Sequence, residues 1–246
     1  MVAITGLLDA LAILTRIPLF SSSRDLDCPG RWTLAWFPLV GGLFGAIWMI
    51  WLQDIPGLSL PLRAIGALSS EIILTGGLHW DGWGDVFDGW AAGAARRDDA
   101  RKDPRIGTAG VLWIVLAAMA FVALWLQLGR APQAGVVVFM APVLARTAIA
   151  VGVARGKTSE RSQLAKWLQE HVNPLGAMVG AIVTMVMITG FWGWPGILGI
   201  VIIAALDYLF IGYWLRFYGG LNGDILGATV IFTELSSLSV GLWLWR

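Results

Sequence analysis

Long apolar stretches alternate with short polar segments along most of the chain. A helix needs roughly 20 apolar residues to cross a lipid bilayer. We therefore predict an all-α fold, a polytopic integral membrane helical bundle with about seven transmembrane helices, at residues 34–52, 62–78, 108–128, 134–154, 174–192, 197–215 and 224–244. Val2–Leu14 is apolar but too short for a span, so we expect an interfacial or re-entrant helix, or a span that needs its neighbours.

Composition supports the membrane prediction and excludes several other classes. The chain is 57% apolar and 13% charged with a mean hydropathy of +0.74, whereas soluble domains carry about 25% charged residues. No basic stripe with interleaved aromatic residues is present, which argues against nucleic acid as a partner. Cys28 is the single cysteine, so no internal disulfide or cysteine metal site is expected, and the N-terminus lacks the pattern of a cleaved signal peptide. With no repeat and no linker, residues 1–246 are predicted to form one domain.

The distribution of Lys and Arg predicts the orientation of the spans. With seven spans, 13 of these residues fall in loops on one side and 3 on the other, and Arg146 remains inside a span. Loops rich in Lys and Arg face the cytoplasm. We therefore expect a multi-pass protein of the cell (inner) membrane, with segments 80–107, 155–173 and 216–223 on the cytoplasmic side.

The most informative polar segment lies at residues 74–110. Asp81, Asp85 and Asp88 are spaced i, i+4 and i+7, which places them within about 60° on one face of an α-helix. Carboxylates that close repel one another unless a cation lies among them, and hard cations such as Mg²⁺ bind through such oxygens. The simpler alternative is a solvated acidic face. His79 would point to the opposite side of an ideal helix, unless Gly82 and Gly84 distort the turn.

Glycines and basic residues complete this segment. Gly82, Gly84 and Gly89 lie beside the acids, where each costs roughly 1 kcal/mol of helix stability against Ala. We expect them to allow close approach of a bulky ligand. Arg105 lies in a turn between Pro104 and Gly107, and its planar guanidinium suits phosphate oxygens. The alternative is that this arginine only adds to the positive charge of a cytoplasmic loop.

Further candidates lie elsewhere in the chain. Residues 219–223 are glycine-rich and precede Asp224, which either caps the last helix or ligates a metal, capping being the more common use. Glu71, Arg146, Asp207 and Glu234 are ionisable residues at apparent membrane depth, where such groups usually have a function. Arg146 would either pair with Glu71 or Asp207, or contact substrate.

These residues resemble a known family. The stretch His79-Trp-Asp81-Gly-Trp-Gly-Asp85-Val-Phe-Asp88-Gly is similar to the HxDGxxDxxDG signature of the cobalamin synthase family, the adenosylcobinamide-GDP ribazoletransferases. Four more motifs agree in order, at residues 14–18, 37–41, 102–108 and 219–228 with Glu234 after it, so that the resemblance spans nearly the whole chain. Pro104 stands where the family often has a small polar residue, and Asn222 stands where it often has Thr.

The resemblance implies the last assembly step of cobalamin biosynthesis. In that reaction α-ribazole, or α-ribazole 5′-phosphate, attacks the phosphate of adenosylcobinamide-GDP and GMP is released, with Mg²⁺ as the metal. The predicted residues are catalytic His79, Asp81, Asp85, Asp88 and Arg105; substrate-binding Arg16, Lys102, Asp103, Gly107, Arg146, Gly220 and Gly223; and metal-binding Asp81, Asp85, Asp88 and Asp224. His79 is the candidate base, with a metal ligand or a hydrogen-bonding residue at the helix end as equal alternatives. Partners are then these substrates and the lipid bilayer, and homo-oligomerisation is left open.

Two other classes of membrane protein use similar residues. CDP-alcohol phosphotransferases also hold a divalent ion with helix-borne aspartates, but their Asp-Gly is followed by an Ala-Arg pair that is absent here. A transporter would use Glu71, Arg146 and Asp207 as a coupling relay. It leaves the long acidic and basic loop unexplained, and no paired broken helices occur in two halves of the chain.

Overall fold

The computed structural model describes residues 2–17, 30–53, 55–97, 99, 105–131, 134–159 and 162–244. Within these ranges the chain is helical and forms no β-strand beyond an isolated bridge between Thr158 and Leu221. The helices are, in chain order, α1 (Val2–Leu14), α2 (Thr33–Leu52), α3 (Leu60–Thr75), α4 (Leu78–Ala92), α5 (Thr108–Leu128), α6 (Ala134–Arg155), α7 (Gln163–His171), α8 (Leu175–Tyr218) and α9 (Gly223–Leu244).

The described helices support an all-helical membrane protein but do not confirm seven spans. Five of them are long and apolar enough to cross a membrane, namely α2, α5, α6, α8 and α9. Helix α3 has 16 residues, a length of about 24 Å at 1.5 Å per residue, which is short of the roughly 30 Å hydrocarbon core. The predicted spans at 174–192 and 197–215 both belong to α8.

Helix α8 is too long to be one straight span. Its 44 residues are interrupted at Gly193, which has φ 60° and ψ −143°, and Pro195 follows. The chain folds back at this point. The evidence is that a Cβ at Gly196 would lie only 2.8 Å from the side chain of Ile188, eight residues earlier. The first half of α8 then packs against the start of α2, and the second half packs along α9 and ends beside α4.

The core of the bundle is formed by α6 and α9, which are largely buried, whereas α5 and α8 expose apolar rows on their outer sides. Helix α2 lies directly on α6. A Cβ at Gly41 would overlap the carbonyl oxygen of Pro142, and a Cβ at Gly45 would overlap that of Phe139. The glycine spacing of this helix therefore permits close helix packing.

A short N-terminal helix forms over the predicted residues and packs against α2. Its 13 residues make it about 20 Å long, too short to cross the hydrocarbon core alone. The carboxylate of Asp9, inside this helix, accepts the backbone N–H of Gly30 at 2.6 Å. This acid therefore holds α1 to the segment that leads into α2.

Candidate active site

The acidic motif lies on a helix that starts after a sharp turn. Gly76 and Gly77, between α3 and α4, have φ values of 63° and 77°, which glycine adopts without the steric cost of a Cβ. Helix α4 then begins, and the N–H of Asp81 in its first turn bonds to the Gly77 carbonyl at 2.8 Å. A carboxylate in the first turn is favoured by the helix dipole.

The predicted division of α4 into an acidic face and a histidine face is confirmed. Asp81 is exposed, Asp85 and Asp88 are half-buried, and His79 is only 2% exposed. The His79 ring points into the bundle, where its Nδ1 lies 3.8 Å from the Glu71 Oε1. Burial lowers the pKa of the His79 imidazole, and Glu71 opposes this only in part. The glycines do not distort the helix, so His79 does not join the acidic face.

The glycines of α4 admit other helices rather than a bulky ligand, which corrects the expectation from the sequence. A Cβ at Gly82 would lie 2.8 Å from the backbone oxygen of Asp224 and 3.2 Å from the Cα of Gly227. Gly84 packs on α5 in the same way, and Gly89 receives the end of α8. Close helix crossings therefore explain the helix-destabilising residues beside the acids.

The crossing of α4 and α9 brings two distant acids together. Partial burial raises the pKa of the Asp81 carboxyl above its usual range, and the neighbouring Asp224 carboxylate raises the pKa further. Asp224 is not the helix cap, because the side-chain oxygen of Asn222 accepts the N–H of Ile225 at 2.8 Å. The capping interpretation of Asp224 is therefore wrong. The Asn that precedes the helix was the sequence signal for the true cap.

Asp88 has a different environment from the other acids. Its two carboxylate oxygens accept the backbone N–H groups of Gly107 and Gly110, each at 2.7 Å. Asp88 thus caps the start of α5 from a neighbouring helix, and a Cβ at either glycine would overlap the carboxylate. The sequence contains no local signal for this contact, because 19 residues separate Asp88 from Gly107.

Two of the predicted phosphate-binding arginines lie next to α4. Arg105 is exposed and stands two residues before Gly107, in the turn that Asp88 holds. Arg16 is exposed, donates its backbone N–H to Leu74 at 2.7 Å, and lies against Gly76 at the start of the acidic helix. The predicted substrate-binding residues Lys102 and Asp103 lie outside the described residues.

The glycine-rich loop before α9 is held against another polar loop. The N–H of Leu221 donates to Lys157 at 2.8 Å, and the Leu221 carbonyl accepts the N–H of Ser159 at 3.0 Å. Gly220 has φ 148°, and a Cβ there would lie 2.5 Å from the Ser159 nitrogen. Gly223 is the first residue of α9. Two of the loops predicted to share one side of the membrane are therefore in direct contact.

Arg146 belongs to a buried ion network. Its guanidinium donates to Glu71 at 2.7 Å and to Glu234. The pairing with Glu71 is confirmed, but the alternative pairing with Asp207 is not found, because Asp207 accepts the hydroxyl of Thr233 at 2.8 Å instead. Arg146 is 0% exposed, so the structure does not bring it to the acidic face. The pairing with Glu234 joins residues 88 positions apart, which sequence spacing does not reveal.

Comparison with known proteins shows the family. The family model for cobalamin-5-phosphate synthase matches residues 6–242, which include every helix that contributes to the site. The chain belongs to the cobalamin-5-phosphate synthase family. No solved structure matches it.

Relatives of this family member carry a more specific enzyme name. A protein of Nitratidesulfovibrio vulgaris named adenosylcobinamide-GDP ribazoletransferase is 33% identical to this chain, over 92% of this chain and 90% of the relative. A protein with the same name in Pseudomonas putida strain F1 is 32% identical over 91% of this chain and 96% of the relative. Another in Chlorobaculum tepidum is 32% identical over 98% of this chain and 96% of the relative. The family assignment decides against the CDP-alcohol phosphotransferase and the transporter.

Mg²⁺, the metal implied by the resemblance, fits one part of the site in this family member. Across the described residues no three His, Cys, Asp or Glu side chains converge as metal ligands. Mg²⁺ usually needs only one or two carboxylates, and waters and substrate phosphates complete its shell. Asp81 and Asp224 provide such a pair, and a cation between them would offset the repulsion that raises the pKa of Asp81. Asp88 differs, since both of its oxygens already accept backbone N–H groups.

Proposed function

We propose that this chain catalyses the reaction named for its relatives, the formation of adenosylcobalamin, or its 5′-phosphate, from adenosylcobinamide-GDP. A hydroxyl oxygen of α-ribazole, or of α-ribazole 5′-phosphate, attacks the phosphorus that is bonded to cobinamide. The bond from this phosphorus to the bridging oxygen breaks, GMP leaves with that oxygen, and the hydroxyl proton is released to solvent. The observation that carries the proposal is the Asp81–Asp224 pair, on a surface formed by motifs that are far apart in the chain.

The surface suits the transfer of a phosphate between two large substrates. Phosphoryl transfer depends mostly on positioning and on neutralising charge. Mg²⁺ held by Asp81 and Asp224, with Asp85 one turn along the same face, would neutralise charge on the diphosphate and on the leaving GMP. Arg16 and Arg105 border the acidic face on either side and provide planar donors for further phosphate oxygens.

The remaining predicted residues take positioning roles in this proposal. Asp88 holds the turn that carries Arg105, because its carboxylate anchors the backbone of Gly107. His79 lies on the buried side of α4 and contacts Glu71, so it orients the helix rather than meeting the substrate. Gly220 keeps the loop before α9 close to Ser159, where a side chain would not fit.

We also propose the finer topology predicted from the charges. Helix α3 and the two halves of α8 add to α2, α5, α6 and α9 to make seven spans, and the acidic face lies on the cytoplasmic side of the inner membrane. The contact between the loops at Lys157 and Leu221 supports this, since it places both on one side. Asp224, a few residues further along, is on the same side as Asp81.

The decisive experiment measures GMP release by the purified protein in detergent. Adenosylcobinamide-GDP and α-ribazole are supplied with Mg²⁺ or with EDTA, and the corrinoid product is identified by mass spectrometry. We expect GMP and cobalamin in equal amounts, no release in EDTA, and recovery on adding Mg²⁺. Asp85→Asn should lower the rate strongly, whereas Asp99→Asn, an exposed acid outside the helical face, should not. Absence of GMP release with both substrates present would refute the proposal.

A further inference from the structure

Four ionisable side chains from four helices meet inside the bundle, on the side of α4 that is opposite to Asp81. They are Glu71 of α3, His79 of α4, Arg146 of α6 and Glu234 of α9, and none is more than 3% exposed. The guanidinium donates one N–H to each glutamate, and the ring of Phe44 on α2 lies 4.5 Å from its central carbon. This cluster therefore connects the acidic helix to the core of the bundle.

The charges of the cluster do not balance. Two carboxylates share one guanidinium, and in the described chain no other Lys or Arg forms an ion pair with either acid. Asp207 of α8 is a further buried acid, but it accepts the hydroxyl of Thr233 and does not join the cluster. An unbalanced charge in a dry interior is strongly unfavourable, and the group takes up or loses a proton instead. One proton makes the cluster neutral without moving a helix.

We propose that Glu71, Arg146 and Glu234 form a buried proton-binding site that holds one proton, on Glu234. Glu71 is the charged member, because it accepts from Arg146 at 2.7 Å and also lies 3.8 Å from the His79 ring. Glu234 receives a hydrogen bond from Arg146 but, unlike Glu71, has no imidazole beside it among the described residues. The proposal does not depend on the substrates of the enzyme.

The proton matters because Glu71 holds the acidic helix in place. Arg146 hydrogen-bonds Glu71 and so links α6 to α3, and the Glu71 carboxylate lies 3.8 Å from the His79 ring in the first turn of α4, two residues before Asp81. A second negative charge in the cluster would compete for Arg146 and weaken the contact between Arg146 and Glu71. Arg146 and Glu71 are therefore positioning residues that act through His79, and the proton on Glu234 preserves their pairing.

Charge balance predicts how many protonated carboxyl groups each variant contains. The wild-type site contains one. Glu234→Gln contains none, Glu71→Gln contains none because Glu234 then ionises to pair with Arg146, and Arg146→Gln contains two. Difference infrared spectroscopy of the whole protein in detergent, with hydrogen–deuterium exchange, detects the carbonyl stretch of a protonated carboxyl group. Asp207→Asn is the matched control, since it removes a buried acid of the neighbouring helix that does not pair with Arg146.

Activity separates the two glutamates. Glu234→Gln copies the shape and charge of the protonated acid, so GMP release should stay within about twofold of wild type. Glu71→Gln weakens the tie to His79, and kcat should fall by about tenfold or more. If Glu71→Gln does not fold, the infrared spectrum of Glu234→Gln decides alone. A carboxyl band that persists unchanged in Glu234→Gln, or an activity of Glu234→Gln as low as that of Glu71→Gln, would overturn the proposal.

Discussion

Replacing Gly82 by Ala tests the claim that the crossing of α4 and α9 builds the site. The new Cβ would lie 2.8 Å from the backbone oxygen of Asp224, whereas ordinary contacts begin at 3.4 Å, so the helices must separate by 3.4 − 2.8 = 0.6 Å. Overpacking of this kind costs about 1–3 kcal/mol, and the better helix propensity of Ala returns about 1 kcal/mol. We expect a net loss of stability of up to about 2 kcal/mol. GMP release should fall by about tenfold, because a displacement of 1 Å in a site can cost about a hundredfold.

Gly84→Ala is the matched control on the same helix. Its Cβ would lie 3.0 Å from the end of the flexible Ile114 side chain, which can move, so stability should be unchanged or rise by up to about 1 kcal/mol. Both variants are compared by thermal unfolding in detergent and by GMP release. Equal stability and equal activity of Gly82→Ala and Gly84→Ala would show that the close crossing does not position the acids.

Three further predictions concern the site and the topology. Asp81→Asn and Asp224→Asn should each lower GMP release by at least about a hundredfold. The double variant should cost little more, because both acids would hold the same cation, and additive losses would contradict this shared role. Arg105→Lys should raise the KM for adenosylcobinamide-GDP more than the exposed control Arg96→Lys, since an ammonium cannot form a bidentate contact; equal KM values would leave Arg105 as an orientation signal only. In a cysteine-free background, a cysteine at Ala95 should resist an impermeant thiol reagent in intact cells, whereas labelling from outside would reverse the topology.

The choice of Arg96 as a control depends on the structure. Arg97 is the neighbouring base and looks equivalent in the sequence. Its guanidinium donates to the carbonyl of Phe217 and lies 5.3 Å from the centre of the Phe217 ring, so it links the segment after α4 to α8. A change at Arg97 would therefore alter the fold as well as the surface charge.

Features that depend on short-range spacing were predicted well. The i, i+4 and i+7 acids share a face of α4, and His79 lies on the other side, because helical geometry alone sets the direction of each side chain. The helix at Val2–Leu14 and the close packing of α2 follow from apolar length and glycine spacing. The count of seven spans is not confirmed, since α3 is short and α8 is interrupted at Gly193.

The contacts that sequence spacing does not reveal all join distant segments. Asp88 is predicted as a metal ligand, and the structure shows in addition that each of its oxygens accepts a backbone N–H at the start of α5. The glycines were expected to admit a ligand, yet Gly82 admits α9. Arg146 pairs with Glu71 as predicted, but its second partner is Glu234 rather than Asp207. In each case several acids or helices were chemically equivalent partners, and spacing along the chain does not distinguish them.

The sequence by itself determined the membrane class, the helical acidic face and the family, because apolar length, helical period and ordered motifs are local properties of the chain. Only the tertiary structure decided which acids meet. Asp81 and Asp224 are brought together by the crossing of α4 and α9, and Glu71, Arg146 and Glu234 by the packing of three helices around one guanidinium. The physical reason is that a buried charge is stable only beside its partner, and helix packing selects that partner from groups that are far apart in the chain.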